Sequence, residues 1–281
     1  MNTFFGRLLI VTAGIALLMV ACGEEGTAEE PAGDRPLEGE LNLVGSTTVQ
    51  PIAEVLAESF EALHPEVTIY VQGGGSSVGV RAAADRSADI GMASREVKVS
   101  ELQENPEIVI HTIARDGIAV AAEPGCTVDD LTLEQVKQIF AGEITNWNQL
   151  GGGDMAITVV AREEGSGTRA AFEELVMGDA LITETAILQP SNGAVRTTIS
   201  VTPGSIGFLS FGYLDDQTKS IAIDGALPTE ENAASGDYTV VRPLNMITWG
   251  EADGAAGAFL DFVKSRDGQS IVTAEGYLPI N

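Results

Sequence analysis

Three times in this chain a short apolar run passes into a cluster of glycine, serine and threonine and then into a helical pattern. The clusters are Gly45-Ser46-Thr47-Thr48, Gly73-Gly74-Gly75-Ser76-Ser77 and Gly165-Ser166-Gly167-Thr168. Before them stand the strand-like segments Leu41–Val44, Val67–Gln72 and Ile157–Ala161. After them come helical patterns, the first with Ile52, Val55, Leu56, Phe60 and Leu63 at helical spacing and Pro65 as its stop. Strands that alternate with helices in this way argue for an α/β architecture with mostly parallel sheets.

The rest of the chain keeps the rhythm. ADIGMAS, Ile108–Ile113, Gly117–Ala121, Gly204–Leu209 and Ser220–Ile223 read as strands. LTLEQVKQIF reads as a helix capped by Thr132, Arg169–Met177 as another, and the segment from Gly254 to Gly276 as one closing helix. No repeat of fixed period appears.

The three clusters also carry a chemistry. A helix start leaves about four backbone N–H groups without helical acceptors and about half a positive charge from the aligned peptide dipoles. Glycine lets a ligand approach the backbone, and serine and threonine add donors that rotate to meet an oxygen. Such starts can enclose a tetrahedral oxyanion. Each is also an ordinary set of helix caps, so composition alone leaves both readings open. Arg162, four residues before Ser166, adds a cation to the third cluster.

That cation stands out because the chain is acidic. Fifteen Lys and Arg face 41 Asp and Glu, a formal charge of −26. Nucleic acid is excluded as a partner on this balance, since backbone binding needs basic patches. An anion site survives because surface carboxylates act across water with a Debye length of ~8 Å, whereas fixed dipoles a few ångströms away dominate locally.

The N-terminus reads as a targeting segment. Arg7 precedes the apolar run Leu8–Ala21, too short to span a bilayer, and Cys22 follows. Met19–Cys22, MVAC, resembles the lipobox of bacterial lipoproteins. This implies a signal peptide over 1–21, lipidation of Cys22 and attachment to a bacterial membrane, outside the cytoplasm. The Glu-, Gly- and Pro-rich stretch after it, 22–38, reads as a flexible acidic tether. Cys126 is the other cysteine, so no internal disulfide is expected.

Longer motifs carry a family resemblance. GSTTVQPIAE, VQGGGSSVGVRAAADRSADIGMASRE, LTLEQVKQIFAGEITNWNQLGG, REEGSGTRAAFEEL, GSIGFLSFGYL and LDFVKSRDGQSIVTAEGYLPIN resemble the phosphate-specific substrate-binding proteins of bacterial ABC transporters, over nearly everything from about residue 40 onward. The resemblance implies a type II periplasmic-binding-protein fold: two α/β lobes joined by two crossover strands, with a ligand cleft between them. The lobes are expected at 39–114 with 247–281, and at 115–246, with hinges near 115–117 and 243–246.

It further implies a monomer that binds inorganic phosphate and delivers it to the permease subunits of an ABC transporter, with no enzyme activity, cofactor or metal. Carried over by motif, the phosphate ligands are Ser46, Thr47 and Thr48, Ser76, and Arg162, Ser166, Gly167 and Thr168, with Glu164 orienting Arg162. Some relatives have Asp after the serine of Ala93-Ser94-Arg95, where it accepts the phosphate proton and excludes sulfate. This chain has Arg95 there. Either Arg95 is a second cationic ligand or it points away, and Ser94 or a backbone carbonyl takes the proton.

Other chemistries find little support in the residues. Glu164 stands where a Gly-x-Ser-x-Gly nucleophile elbow needs glycine. Only His64 and His111 could serve a Ser-His-Asp triad; His64 precedes Pro65 at a helix end, and His111 lies in an apolar strand and reads as a packed core histidine. GGGSS lacks the lysine of a Walker A loop. Trp147 and Trp249 read as packing residues. The competing functions are a receptor for tungstate or molybdate, and a phosphate-sensing surface scaffold.

Overall fold

The computed structural model describes residues 37–280. The expected signal peptide, Cys22 and nearly all of the expected tether lie outside the described residues. Of that tether Leu37 and Glu38 are described, and Leu37 packs against a hydrophobic core.

The first half of the chain forms β1 (Gly39–Gly45), α1 (Val49–Leu63), β2 (Val67–Gly73), α2 (Ser76–Ala84), β3 (Ile90–Ala93), α3 (Val99–Glu104) and the long β4 (Ile108–Ala122). Then come β5 (Asp130–Leu131), α4 (Leu133–Phe140), β6 (Thr158–Arg162), α5 (Gly167–Phe172), β7 (Ile187–Gln189), α6 (Asn192–Val201), β8 (Ser205–Ser210), β9 (Lys219–Ile223) and α7 (Glu230–Ser235). β10 (Val241–Trp249), α8 (Gly254–Lys264) and α9 (Arg266–Ala274) complete it.

The strands join in the order β2-β1-β3-β10-β4-β8-β6-β7, with β9 pairing β4 and β5. Pairing is parallel at the two ends, in β2-β1-β3 and in β8-β6-β7. In the middle it is antiparallel: β10 with β3 and β4, and β4 with β8 and β9. The expectation of mostly parallel sheets therefore holds at the two ends and for β5 with β9, but not at the central crossing. The chain passes from one end of the sheet to the other on β4 and returns on β10, and two neighbours that carry the chain in opposite directions must be antiparallel. The two strands expected at 108–113 and 117–121 are the single strand β4, because the intervening Asp116 is paired across to β10 instead of breaking the run.

Two cores flank this crossing. α1 buries Ile52, Leu56 and Phe60 on β1 and β2, and Phe60 meets Phe259 and Phe262 of α8 with ring centroids 5.4 and 5.6 Å apart. Leu63, on the helical spacing of that face, is instead 64% exposed. It occupies the last turn, which ends at His64, whose N–H closes on the Phe60 carbonyl, and at Pro65. The second core gathers Ile118 and Val120 of β4 with Phe140, Phe172 and Phe208. Phe172 stacks on Phe208 at 4.1 Å, which pins α5 to the sheet. Burying each such ring contributes about 1.5–3 kcal/mol, so the turn preceding α5 is carried on a rigid support.

The remaining helical expectations divide. Thr132 caps α4 as expected: its Oγ1 accepts from the Gln135 N–H at 3.1 Å. The closing helix is two helices, since Ser265 takes an extended conformation and caps α9 by accepting from the Gly268 N–H. Among the described residues no helix is long and apolar enough to cross a membrane.

Candidate anion-binding site

The three clusters follow the carboxyl ends of β1, β2 and β6, where open α/β sheets place their ligand crevices. They converge. Thr48 Oγ1 lies 3.1 Å from Thr168 Oγ1, and the Ser77 N–H donates to the Gly165 carbonyl at 3.1 Å. This close approach needs glycine on both sides. Gly75 has φ +93° and Gly165 has φ +84°, and a Cβ on Gly75 would sit 3.0 Å from the Gly165 carbonyl oxygen.

Between them is a small closed space of about 110 Å³, counting all non-atom volume. Ser46, Thr47 and Thr48 line it from the first cluster, Gly75 and Ser76 from the second, and Ser166, Gly167 and Thr168 from the third. Ser94, just after β3, and Arg162, the last residue of β6, complete the wall. Apart from half-buried Thr47, all of these polar side chains are buried.

The lining presents donors. Among the described residues the backbone N–H groups of Thr47, Ser76, Gly167 and Thr168 have no protein acceptor. The Ser46 hydroxyl oxygen already accepts from the N–H groups of Thr48 and Val49, at 3.1 and 3.3 Å. Both its lone pairs are used, so it can offer only its proton. The Ser166 oxygen accepts from the Arg169 N–H and the Ser76 oxygen from the Ser94 N–H.

Arg162 is held by neutral groups. Its Nε donates to the Gln189 carbonyl at 3.1 Å and its Nη2 to the Pro190 carbonyl at 2.9 Å and to Thr47 Oγ1 at 3.4 Å. Burial, and then the neighbouring Arg242 charge, push its pKa down to about 10, which leaves it charged at neutral pH. A buried cation without a carboxylate partner is costly. An anion in the enclosed space would offset that cost.

Two expected site residues are not brought there. Arg95 is buried, but its guanidinium turns to Glu101: Nη2 donates to Oε1 at 2.7 Å and Nη1 to Oε2 at 2.8 Å. It also donates to Ser77 Oγ and the Glu96 carbonyl. Of the two alternatives for Arg95, pointing away is the one observed, because Glu101 in the next helix offers a bidentate acceptor six residues on. Burial acts to raise the Glu101 pKa, but the hydrogen bond from Arg95 and the Lys98 N–H outweigh it and hold the carboxyl below its usual range. Glu164 does not orient Arg162 either. It is exposed, and the carbonyls of Gln189 and Pro190 do that work.

A polar network beneath the space went unread in the sequence. Asp116 of β4 and Arg242 of β10 are cross-strand partners, almost wholly buried, with Nη2 2.7 Å from Oδ2. Burial pushes the Asp116 carboxyl up, against the pull of Arg242. Asp116 also accepts from the Ser210 hydroxyl at 2.8 Å. Arg242 reaches on to the Ser94 carbonyl and to Thr48 Oγ1, and Asn192 donates to the same Thr48 oxygen. The available signal was a charge of each sign set inside an apolar strand run, at IARDGIAV and YTVVRPLNM; charges in such runs are buried only when paired.

The alternatives are also located. Nε2 of His111 lies 2.9 Å from Thr248 Oγ1 and Nδ1 lies 3.0 Å from Lys264 Nζ, away from the clustered serines. Trp147 is buried and donates to the Gly204 carbonyl. Among the described residues no group of three or more His, Cys, Asp or Glu is arranged to hold a metal.

Comparison with known proteins gives concordant results. Residues 30–267 match the family model of the PBP superfamily domain. The phosphate-binding protein PstS of Bacillus subtilis is 36% identical over 280 residues, 97% of this chain and 93% of the relative. A Clostridium perfringens protein assigned as a phosphate ABC transporter substrate-binding protein, crystallised with bound phosphate, superposes with a TM-score of 0.83. It is 38% identical and the match covers 86% of this chain and all of that one. An ABC-type phosphate transport receptor from Vibrio cholerae follows at a TM-score of 0.72 and 36% identity, over 85% of this chain and 99% of that one. The fold is that of type II periplasmic binding proteins.

Proposed function

Because the chain belongs to the family of phosphate-binding PstS proteins, we propose that it captures inorganic phosphate outside the cytoplasm and delivers it to an ABC transporter permease. One observation carries this reading: among the described residues, four backbone N–H groups without protein acceptors and an arginine held only by neutral oxygens belong to residues that line one small space. A hydrogen bond to a charged group contributes ~1.5–3 kcal/mol. Micromolar affinity needs about 8 kcal/mol, so a handful of these donors suffices after the costs of association.

The two cores act as two lobes, close to the expected 39–114 with 247–281 and 115–246, and bend near 115–117 and 243–246 to admit the ion. The role is binding without catalysis, by a monomer. Cys22 is lipidated after cleavage of the signal peptide, and the stretch that follows tethers the domain to the membrane.

A second reading has a specific support. No carboxylate lines the space among the described residues, so nothing there demands a protonated oxygen. Tungstate and molybdate therefore compete with phosphate as the physiological ligand. Calorimetric titration of the domain with phosphate, sulfate, arsenate, molybdate and tungstate tests both. Tightest binding of phosphate supports the receptor, tightest binding of a metal oxyanion supports the second reading, and no heat with any anion rejects both.

A further inference from the structure

Three other polar side chains meet at Thr48 Oγ1. It lies 2.8 Å from Asn192 Nδ2, 3.2 Å from Arg242 Nη2 and 3.1 Å from Thr168 Oγ1. Asn192 and Arg242 can only donate here. The guanidinium has no acceptor, and the amide is fixed in orientation because Asn192 Oδ1 accepts the Ser210 N–H at 3.4 Å. A hydroxyl oxygen has two lone pairs and one proton. With both lone pairs taken, the Thr48 proton has one protein partner within reach, Thr168 Oγ1. Thr168 thus receives a bond from behind and keeps its own proton for an oxygen in the enclosed space.

We propose that Arg242, which does not line the space, is a positioning residue for the anion: through Thr48 it sets the direction in which the Thr48–Thr168 hydroxyl pair points its protons, and through Asp116 it fastens that setting to the two strands that cross the molecule. Asp116 lies on β4 and Arg242 on β10, opposite each other in register. Asp116 accepts from Ser210 at the end of β8, whereas Arg242 donates to the Ser94 carbonyl beside β3. The pair therefore touches polar groups belonging to both ends of the sheet. Thr48 and Thr168, which it orders, come from the first and the third cluster. A bend at the crossing that separates those clusters breaks the Thr48–Thr168 contact, so the donor direction is established only when they meet.

This inference rests on the phosphate reading, and the test separates the two. Inorganic phosphate is titrated calorimetrically into wild type, Thr48→Val, Thr48→Ser, Arg242→Gln and the Thr48→Val/Arg242→Gln double variant. Thr48→Val removes the acceptor that Asn192 and Arg242 share and the donor that orients Thr168; it is expected to weaken binding about tenfold or more, and Thr48→Ser to restore it to within about threefold. Arg242→Gln is expected to weaken binding in wild type and to add little in the Thr48→Val background, the non-additivity of residues acting through one contact. A merely structural role would lower the melting temperature of the ligand-free protein and leave this coupling at zero. Should Arg242→Gln leave Asp116 unpaired and fail to fold, the Asp116→Asn/Arg242→Gln variant replaces it. Should that fail too, Arg242→Lys, which keeps a cation against Asp116 and changes the donor geometry at Thr48, takes its place in both backgrounds. Thr48→Val binding as wild type does, or Arg242→Gln costing the same factor in both backgrounds, overturns the inference while the phosphate reading stands. Wild type failing to bind phosphate overturns both.

Discussion

Arg162 and Arg95 are almost equally buried, at 2% and 3% exposure; Arg162 is the last residue of β6 and Arg95 comes two residues after β3. Their surroundings differ in one respect. Arg162 is held by two backbone carbonyls and a hydroxyl, and Arg95 by both oxygens of Glu101. Carbonyls fix a guanidinium in place while leaving its charge uncancelled. A carboxylate fixes it and cancels the charge as well. The pair teaches that a buried arginine is available to an anionic ligand when its own partners are neutral, and that burial and position in a motif do not decide this. Arg242 is a third case, cancelled by Asp116 yet with donors to spare for the site.

The largest expected effect breaks the Arg162 side of the comparison. Arg162→Met removes the uncancelled charge and should weaken phosphate binding at least roughly 30-fold by calorimetry, the lower end for truncating one member of a buried charge pair. A loss under threefold would mean that the guanidinium does not face the ion.

Next is the space itself. A Cβ on Gly167 would lie 2.1 Å from Ser76 Oγ and 2.7 Å from Ser94 Oγ. Gly167→Ala should therefore hold the clusters apart and cost about tenfold or more in affinity, one charged hydrogen bond or its equivalent. The phenylalanine core behind it should keep the melting temperature near wild type.

Arg95→Ala sharpens the contrast by dissociating stability from binding. Phosphate affinity should stay within about threefold. Stability should fall by about 1–3 kcal/mol, discounted from the fully buried case because the Glu101 side chain is partly exposed. The pH dependence has a definite sign. A carboxyl held below its usual pKa contributes stability that is present above its unfolded pKa and is lost as pH falls through the folded one. Melting curves taken from neutral into acid pH should therefore lose less stability in Glu101→Gln than in wild type. Equal slopes would show that the Arg95 pair carries no pH-dependent stability.

The smallest effect is expected at Glu164. This exposed side chain makes no contact with Arg162 among the described hydrogen bonds, so Glu164→Gln should leave affinity within about twofold. A larger loss would return to it the orienting role that the carbonyls of Gln189 and Pro190 fill.

These contrasts mark what could be read from the chain. The clusters around Ser46, Ser76 and Ser166 were legible because helix starts, glycines and hydroxyls are local signals. Convergence of the three on one space is a property of sheet order, which no local pattern contains. Arg95 could not be assigned because its partner is chosen by how α3 packs. Glu164 does not reach Arg162 because β6 ends at Arg162 and the chain turns there, which leaves Glu164 exposed in the turn while Arg162 stays buried. Asp116 and Arg242 lie 126 residues apart. Their opposite charges in apolar runs hinted at pairing, but only the antiparallel crossing of β4 and β10 makes them neighbours. The same crossing explains why a sheet expected to be mostly parallel is antiparallel at its centre.

The central claim is that backbone N–H groups from three separate segments bind one ion. A backbone amide NMR titration with phosphate tests it most directly. The account predicts that the amide protons of Thr47, Ser76, Gly167 and Thr168 move downfield together and saturate at one stoichiometric equivalent, while that of Glu101 stays in place. Saturable phosphate binding that leaves those four resonances unmoved would contradict it.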